Sequence, residues 1–327
     1  MLCPFCLDDI KFKKEKLPNK LSTVYLCPTC GEQAPALYAQ DYKKYPPVVV
    51  SAVGFRQHGK TVYFATLFYT LKKLTLARDW SEFFTMGLND DSLDTVYDNA
   101  RMLDKGDLPD STPKNFPRPT MLRVEGMPMH RNCTLLCFDT GGECFERPTQ
   151  LVQFAGFVRR AETAMLLISV DDMEDPRQEM QKLLNTYIVG MGELGGRPRE
   201  QHLIVVYTKA DHLAARLMGE WQYMLTYLIQ GTVDSLANPD RYMKRMEEVS
   251  SRLRDFTEKD LGAYEFLNAA GSHFKSVDFS IVSALGAEPD GAQMSVNIVP
   301  RRILDPLLWV IEKSLPSPEK FWRRLFG

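Results

Sequence analysis

The chain has no apolar run close to the roughly 20 residues that cross a bilayer; stretches such as 164–170 are far shorter. It also lacks an N-terminal segment that joins a basic start to an apolar stretch, so neither a membrane span nor a secretory leader is expected, and a cytoplasmic location follows. Charge of one sign is scarce too: 40 Lys and Arg against 42 Asp and Glu leave a net charge of −2. No global field draws such a chain to nucleic acid or acidic lipid, and a partner of that kind would need a local patch. Internal repeats and low-complexity tracts are missing, and with 44% apolar residues there is little room for long disorder. Cysteine placement favours a metal over a disulfide framework, with a redox pair or unrelated thiols as the competing readings. Four of the seven cysteines form two CxxC pairs, whereas Cys133, Cys137 and Cys144 lie in or near an apolar strand without paired spacing, which fits reduced thiols and a bound metal.

What is present reads as one large domain with an appendage. Residues 1–33 are rich in Cys, Lys and turn formers and too few for an apolar core of their own, so something must staple them. Residues 34–47, with Pro35, Pro46 and Pro47, read as a linker, and residues 48–327 as the main domain. There, short β-branched runs (48–53, 134–138, 163–170, 202–207 and 277–282) alternate with segments of helical spacing. Continuous apolar strands between helices predict an α/β, doubly wound, mainly parallel sheet covered on both faces. Two intervals exceed a minimal crossover and are expected as helical insertions, at about 77–107 and about 212–270, the second marked by Leu217, Trp221, Met224, Leu225 and Leu228 at helix-face spacing. Near the C-terminus Ile303, Leu304, Leu307, Leu308, Ile311 and Leu315 make an apolar helix face expected to cover the sheet, and 321–326 is a short amphipathic stretch able to touch a partner.

The strongest motif is Gly54-Phe55-Arg56-Gln57-His58-Gly59-Lys60-Thr61, directly after the strand 48–53 and before a helical pattern. That context makes a GxxxxGKT match credible as a phosphate-binding P-loop. Gly54 and Gly59 allow a turn that aims successive N–H groups at phosphate oxygens, with Gln57, His58 and Val62 in the same cradle. Lys60 would bridge the β- and γ-phosphates and Thr61 would offer its hydroxyl to Mg²⁺. The bland alternative is a glycine-rich strand-to-helix turn. Asp139-Thr140-Gly141-Gly142 follows a second apolar strand, so Asp139 is expected to hold Mg²⁺ through water and Gly142 to donate its N–H to the γ-phosphate; taken alone this tetrad could be a plain turn. After the strand at 202–207 comes Thr208-Lys209-Ala210-Asp211, and after the last strand Ser283-Ala284-Leu285. A carboxylate such as Asp211 can accept two hydrogen bonds from guanine, adenine offers no such donor pair, and Lys209 can lay its stem on the ring.

In this order the four motifs resemble those of P-loop GTPases of the Ras and translation-factor class, across roughly residues 48–327. The Thr208-Lys209-Ala210-Asp211 form resembles a variant of the class's guanine motif, and Ser283-Ala284-Leu285 resembles the loop whose backbone meets the guanine oxygen. The resemblance implies a six-stranded sheet with one antiparallel strand at 120–125, and a magnesium-sensing threonine upstream of it, assigned to Thr112 with Ser111 next. It also implies a water-orienting Gln where this chain has Glu143, and a glycine where it has Arg56. Arg56 is therefore a candidate arginine finger in cis or an ordinary solvated side chain, Glu143 a candidate water-orienting or proton-accepting group, and His58 a proton-transfer group or a loop residue lending only its N–H.

Cys3-Pro4-Phe5-Cys6 and Cys27-Pro28-Thr29-Cys30-Gly31 have the spacing of two knuckles that set four thiolates around Zn²⁺, and the module resembles a zinc ribbon. Its Lys11, Lys13, Lys14, Lys16 and Lys20 invite a nucleic-acid reading, offset by Asp8, Asp9 and Glu15 and by few aromatics, so a protein-docking role is the expectation. Ribbon plus elaborated domain resembles the bacterial double-GTPase type found in conflict and antiviral defence systems. The function expected is a GTP/GDP-binding switch that needs Mg²⁺, with slow, partner-stimulated hydrolysis and a protein partner at the switch regions or the ribbon. The alternatives are a non-hydrolysing nucleotide-bound scaffold and a ribbon-led nucleic-acid-binding factor.

Overall fold

The run Pro47–Val53 has almost no polar side to show water, so it belongs in a sheet covered on both faces. The computed structural model, which describes residues 1–16, 23–73, 76–80, 82–230 and 238–315, places it at the centre of one. The described strands are β1 Lys13–Lys16, β2 Thr23–Leu26, β3 Gln33–Ala34, β4 Pro47–Val53, β5 Phe84–Gly87, β6 Thr120–Glu125, β7 Cys133–Phe138, β8 Thr163–Ile168, β9 His202–Tyr207 and β10 Ser276–Ile281. Seven of them form the main sheet, in the order β10-β9-β8-β4-β7-β6-β5. The pairs β10–β9, β9–β8, β8–β4 and β4–β7 are parallel, while β7–β6 and β6–β5 are antiparallel. Every residue of β7, β8 and β9 is buried, as strands under helices must be.

Among the described residues the sheet thus has seven strands where six were expected. The added strand, β5, lies inside the interval 77–107, and its four residues pair antiparallel with β6 from Phe84 opposite Glu125 to Gly87 opposite Leu122. A run this short carries no readable period; it becomes a strand because β6 would otherwise present an open edge of unpaired backbone groups. The rest of that interval holds the helix Asp90–Asp104, whose N-terminus is capped by Asn89 accepting from the Ser92 N–H at 3.0 Å. The second long interval holds the helices Gln222–Ile229, Pro239–Lys259 and Tyr264–His273. The apolar face from Ile303 onward forms the helix Asp305–Ser314, which lies across β4, β8, β9 and β10. The amphipathic stretch 321–326 and Lys20 fall outside the described residues.

The strands β1 to β3 make a separate antiparallel sheet in the order β1-β2-β3. Between the two sheets, 34–47 carries the helix Ala36–Gln40. Its Tyr38 hydroxyl donates to Leu2 O at 2.7 Å, and the Leu2 N–H donates to the Tyr42 hydroxyl at 2.8 Å. Cys3, Phe12, Tyr25 and Tyr38 share one continuous apolar cluster with the main domain, so the small sheet is packed onto its own chain. Arg118 ties it further, donating to Glu32 Oε1 at 2.6 Å.

Candidate functional site

In a parallel sheet the carboxyl ends of the strands open on one edge, and the loops that leave them there are the ordinary place for a ligand. Here β4, β7, β8, β9 and β10 deliver Gly54, Asp139, Ser169, Thr208 and Val282 respectively to that edge. The loops surround a cavity of about 620 Å³, within the usual range for small-molecule pockets. Of the residues singled out from sequence, Arg56, Gln57, Gly59, Lys60, Thr61 and Val62 line it from the P-loop side. Thr112, Gly142 and Glu143 line it from the β6–β7 side, and Thr208, Lys209, Asp211, Ala284 and Leu285 from the far side. Gly54, His58, Asp139 and Ser283 stand behind that lining and hold it.

The P-loop geometry has local causes. Gly59 sits at φ +76°, a conformation that glycine adopts without strain. A Cβ at Gly54 would come 2.8 Å from Leu167 O, so only glycine lets the loop leave β4 beside β8. His58 turns inward, with Nδ1 2.9 Å from Leu167 O, and burial lowers its pKa to about 4. It is therefore neutral and donates Nδ1–H, a loop anchor and not a proton-transfer group facing the cavity. The Thr208 hydroxyl, 3.1 Å from His58 O and 3.2 Å from Ile168 O, ties the same loop to the end of β8. Lys60 is buried; its ammonium donates to Gly54 O at 3.0 Å and Phe55 O at 2.9 Å. Burial lowers its pKa to about 8 against the pull of Asp139 and Glu143, so an anionic ligand would return it fully to the charged form.

Three oxygen-bearing side chains from three elements meet beside Lys60. Thr61 Oγ1 and Thr112 Oγ1 are 2.6 Å apart, and Thr112 Oγ1 donates to Asp139 Oδ2 at 2.6 Å. Asp139 Oδ1 is shielded from solvent and has no hydrogen-bond partner among the described residues. Burial pushes the Asp139 carboxyl up, the two threonine hydroxyls and Lys60 pull it back, and the net direction is up. Gly142 lies against the P-loop backbone: a Cβ there would be 2.3 Å from the Arg56 N and 2.5 Å from the Phe55 carbonyl carbon.

Arg56 does not reach into the cavity centre. Its Nη2 donates to Glu143 Oε1 at 2.6 Å, and its side chain is 66% exposed. The Glu143 carboxyl is held below the usual range, first by its own backbone N–H and then by Arg56. At the far end Ser283 Oγ donates to Asp211 Oδ1 at 2.6 Å, and the Gly286 N–H donates back to Ser283 Oγ at 3.0 Å. Lys209, at φ +50°, donates to Asp172 Oδ2 at 2.7 Å. Asp172 was not singled out from sequence, although an acid just past the end of β8 carries the same strand-end signal as Asp139. His212, Leu108 and Ala287 to Pro289 also line the cavity and carry no motif that would mark them.

At the N-terminus the Sγ atoms of Cys3, Cys6, Cys27 and Cys30 all lie within 4.8 Å of one another, with Cys3–Cys30 at 3.8 Å and Cys6–Cys27 at 3.7 Å. Burial pushes the Cys6 thiol up to about 11, whereas N–H groups of its own knuckle outweigh burial at Cys27 and bring it down to about 7.

Comparison with known proteins bears on the main domain. The family model described as Double-GTPase 2 matches residues 48–257, from β4 into the helix Pro239–Lys259. No curated protein matches the chain. Among solved structures, the S. cerevisiae Ski7 GTPase-like domain bound to GTP is similar at 16% identity and a TM-score of 0.39, over 85% of this chain and 52% of that one. The complex of SsGBP with GDP is similar at 13% identity and a TM-score of 0.31, over 83% of this chain and 48% of that one. The chain spans about half the length of these structures.

Proposed function

From the premise that the chain belongs to the Double-GTPase 2 family, we propose that it is a GTP- and GDP-binding switch that uses Mg²⁺ and hydrolyses GTP slowly unless a partner assists. The observation that carries this reading is the convergence of Thr61, Thr112 and Asp139 beside Lys60, with Asp139 Oδ1 buried and without a hydrogen-bond partner among the described residues. Leaving such an oxygen unpaired is costly, and a hard cation with oxygen ligands fits the donor set. Bound there, Mg²⁺ would neutralise phosphate charge. The chain's own residues do the rest: the loop from Gly54 to Lys60 cradles phosphate, Gly142 supplies an N–H toward the γ-phosphate, and Asp211, oriented by Ser283, accepts from guanine.

The Arg56–Glu143 pair supports slow turnover. A carboxylate with a lowered pKa is a weak proton acceptor, and the Oε1 of this one is turned to the Arg56 guanidinium. The same pair is the observation that favours the alternative of a non-hydrolysing scaffold. The four cysteines suit Zn²⁺, because thiolates about 2.3 Å from a tetrahedral ion lie roughly 3.8 Å apart, close to the Cys3–Cys30 and Cys6–Cys27 separations of 3.8 and 3.7 Å. Since the small sheet already packs on its own domain, its docking face for a protein partner is the outer side, with the exposed β1.

Calorimetric titration of GTP and GDP, with and without Mg²⁺, tests the reading together with single-turnover hydrolysis. Binding should depend on Mg²⁺, be abolished in Lys60→Ala, and be followed by turnover slower than about 1 per second without a partner. Mg²⁺-independent binding, or equal GTP and GDP affinity with no turnover at all, would remove the switch.

A further inference from the structure

Apart from His212 at its start, the interval 212–270, elaborated with helices, has no part in the site described so far, nor does the stretch after Val299. They meet behind the base-side loop. Arg301 exchanges both backbone hydrogen bonds with Ser283, at 3.1 and 2.8 Å, and the Val299 N–H donates to Leu285 O at 3.0 Å. The approach is close enough that a Cβ at Gly286, φ +83°, would lie 2.6 Å from Val299 O. Residues 299–301 therefore form the outer wall of the Ser283–Gly286 loop.

That wall is pinned by its next residue. Arg302 is 1% exposed and adopts φ +57°. Its Nε donates to Tyr227 O at 2.7 Å and its Nη2 to Gln230 O at 2.8 Å, while the guanidinium lies 3.7 Å from the Tyr227 ring centroid. The rings are fixed in turn by buried Asp305: the Tyr227 hydroxyl donates to Oδ2 at 2.6 Å, and the Tyr242 hydroxyl donates to Oδ1. Tyr227 belongs to the helix Gln222–Ile229, Tyr242 to the helix Pro239–Lys259, and Asp305 opens the helix that lies across the sheet.

We propose that Arg302, Tyr227 and Tyr242 are positioning residues for base recognition, through which the helical insertion holds the Ser283 loop and so aims the Asp211 carboxylate. The proposal rests on the guanine reading above. The lever is short. Arg302 fixes Arg301, Arg301 fixes the Ser283 backbone, and the Ser283 hydroxyl fixes Asp211 Oδ1. None of the three side chains lines the cavity, so their loss touches phosphate recognition, on the opposite side of the site, only weakly.

The experiment titrates GDP and ADP, each with Mg²⁺, into the nucleotide-stripped full chain and into Arg302→Lys and Tyr242→Phe, with thermal unfolding recorded in parallel. ADP reports the phosphate contacts, and the ratio of the two affinities reports the base. Loss of a buried hydrogen bond is expected to lower the preference for GDP by about tenfold in Arg302→Lys and by a few-fold in Tyr242→Phe, with ADP affinity unchanged. Tyr242→Phe keeps the ring and its packing, so it serves if Arg302→Lys does not fold. Variants that keep the parent's GDP preference, or that lose GDP and ADP affinity in equal proportion, overturn the proposal and leave Arg302 a fold staple. A parent that does not distinguish GDP from ADP overturns the guanine reading itself, and the proposal with it.

Discussion

Acidification should loosen the P-loop anchor through one identifiable proton. A free imidazole titrates near 6.5, and burial holds His58 at about 4, where it donates Nδ1–H to Leu167 O. The folded chain thus resists a proton that the unfolded chain accepts. The stability contributed by neutral His58 is complete above about pH 6.5 and declines as pH falls from 6.5 toward 4. Between pH 7.5 and 5.0 that preference amounts to about 2 kcal/mol, at about 1.4 kcal/mol per pH unit over the part of the range below 6.5. Other groups titrate in the same window, so the measurement is a difference. Urea unfolding of the parent and of His58→Asn, whose amide nitrogen can stand near the place of Nδ1, is followed at both pH values. Carboxylates and thiols common to the two chains cancel. The parent should lose about 2 kcal/mol more than the variant on going to pH 5.0. Equal losses would mean that His58 takes up its proton without cost in the fold, and would refute the account of it as a neutral anchor.

Two further outcomes follow from contacts already given. Gly142→Ala places a Cβ 2.3 Å from the Arg56 N and 2.5 Å from the Phe55 carbonyl carbon, backbone atoms with no flexible end to give way; overpacking should lower the unfolding free energy by about 1–3 kcal/mol in urea titration, and unchanged stability would show that the P-loop yields freely there. The purified chain should carry about one zinc ion by elemental analysis, and Cys27→Ser should lose it and unfold at lower temperature because Cys3, Cys27 and Tyr38 share the apolar cluster of the main domain; a metal-free parent with an intact β1–β3 sheet would contradict the zinc assignment.

The parts of the molecule legible in sequence are those whose causes are local. A continuous apolar run such as Val48-Val49-Val50 declares a covered strand wherever it folds, and glycine spacing around Lys60 declares a turn onto a helix. β5 was not legible, because Phe84 to Gly87 becomes a strand only through the open edge of β6, whose residues lie more than thirty positions later in the chain. The same distinction divides the site. Asp139, Thr61 and Thr112 each carry a signal in their own neighbourhood, yet their hydroxyl-to-carboxylate chain exists only once β4, β7 and the 106–119 loop are assembled. Arg56 and Glu143 show the limit most clearly. Each can be read alone as a catalytic group, one as a cationic finger and the other as a base. The fold sets them 2.6 Å apart across 87 positions of sequence, so that the hydrogen bond each makes is first of all to the other. In the switch proposed above, partner stimulation would act on this pair: a partner carboxylate that draws off Arg56, or a cation that draws off Glu143, would free the other group for the cavity.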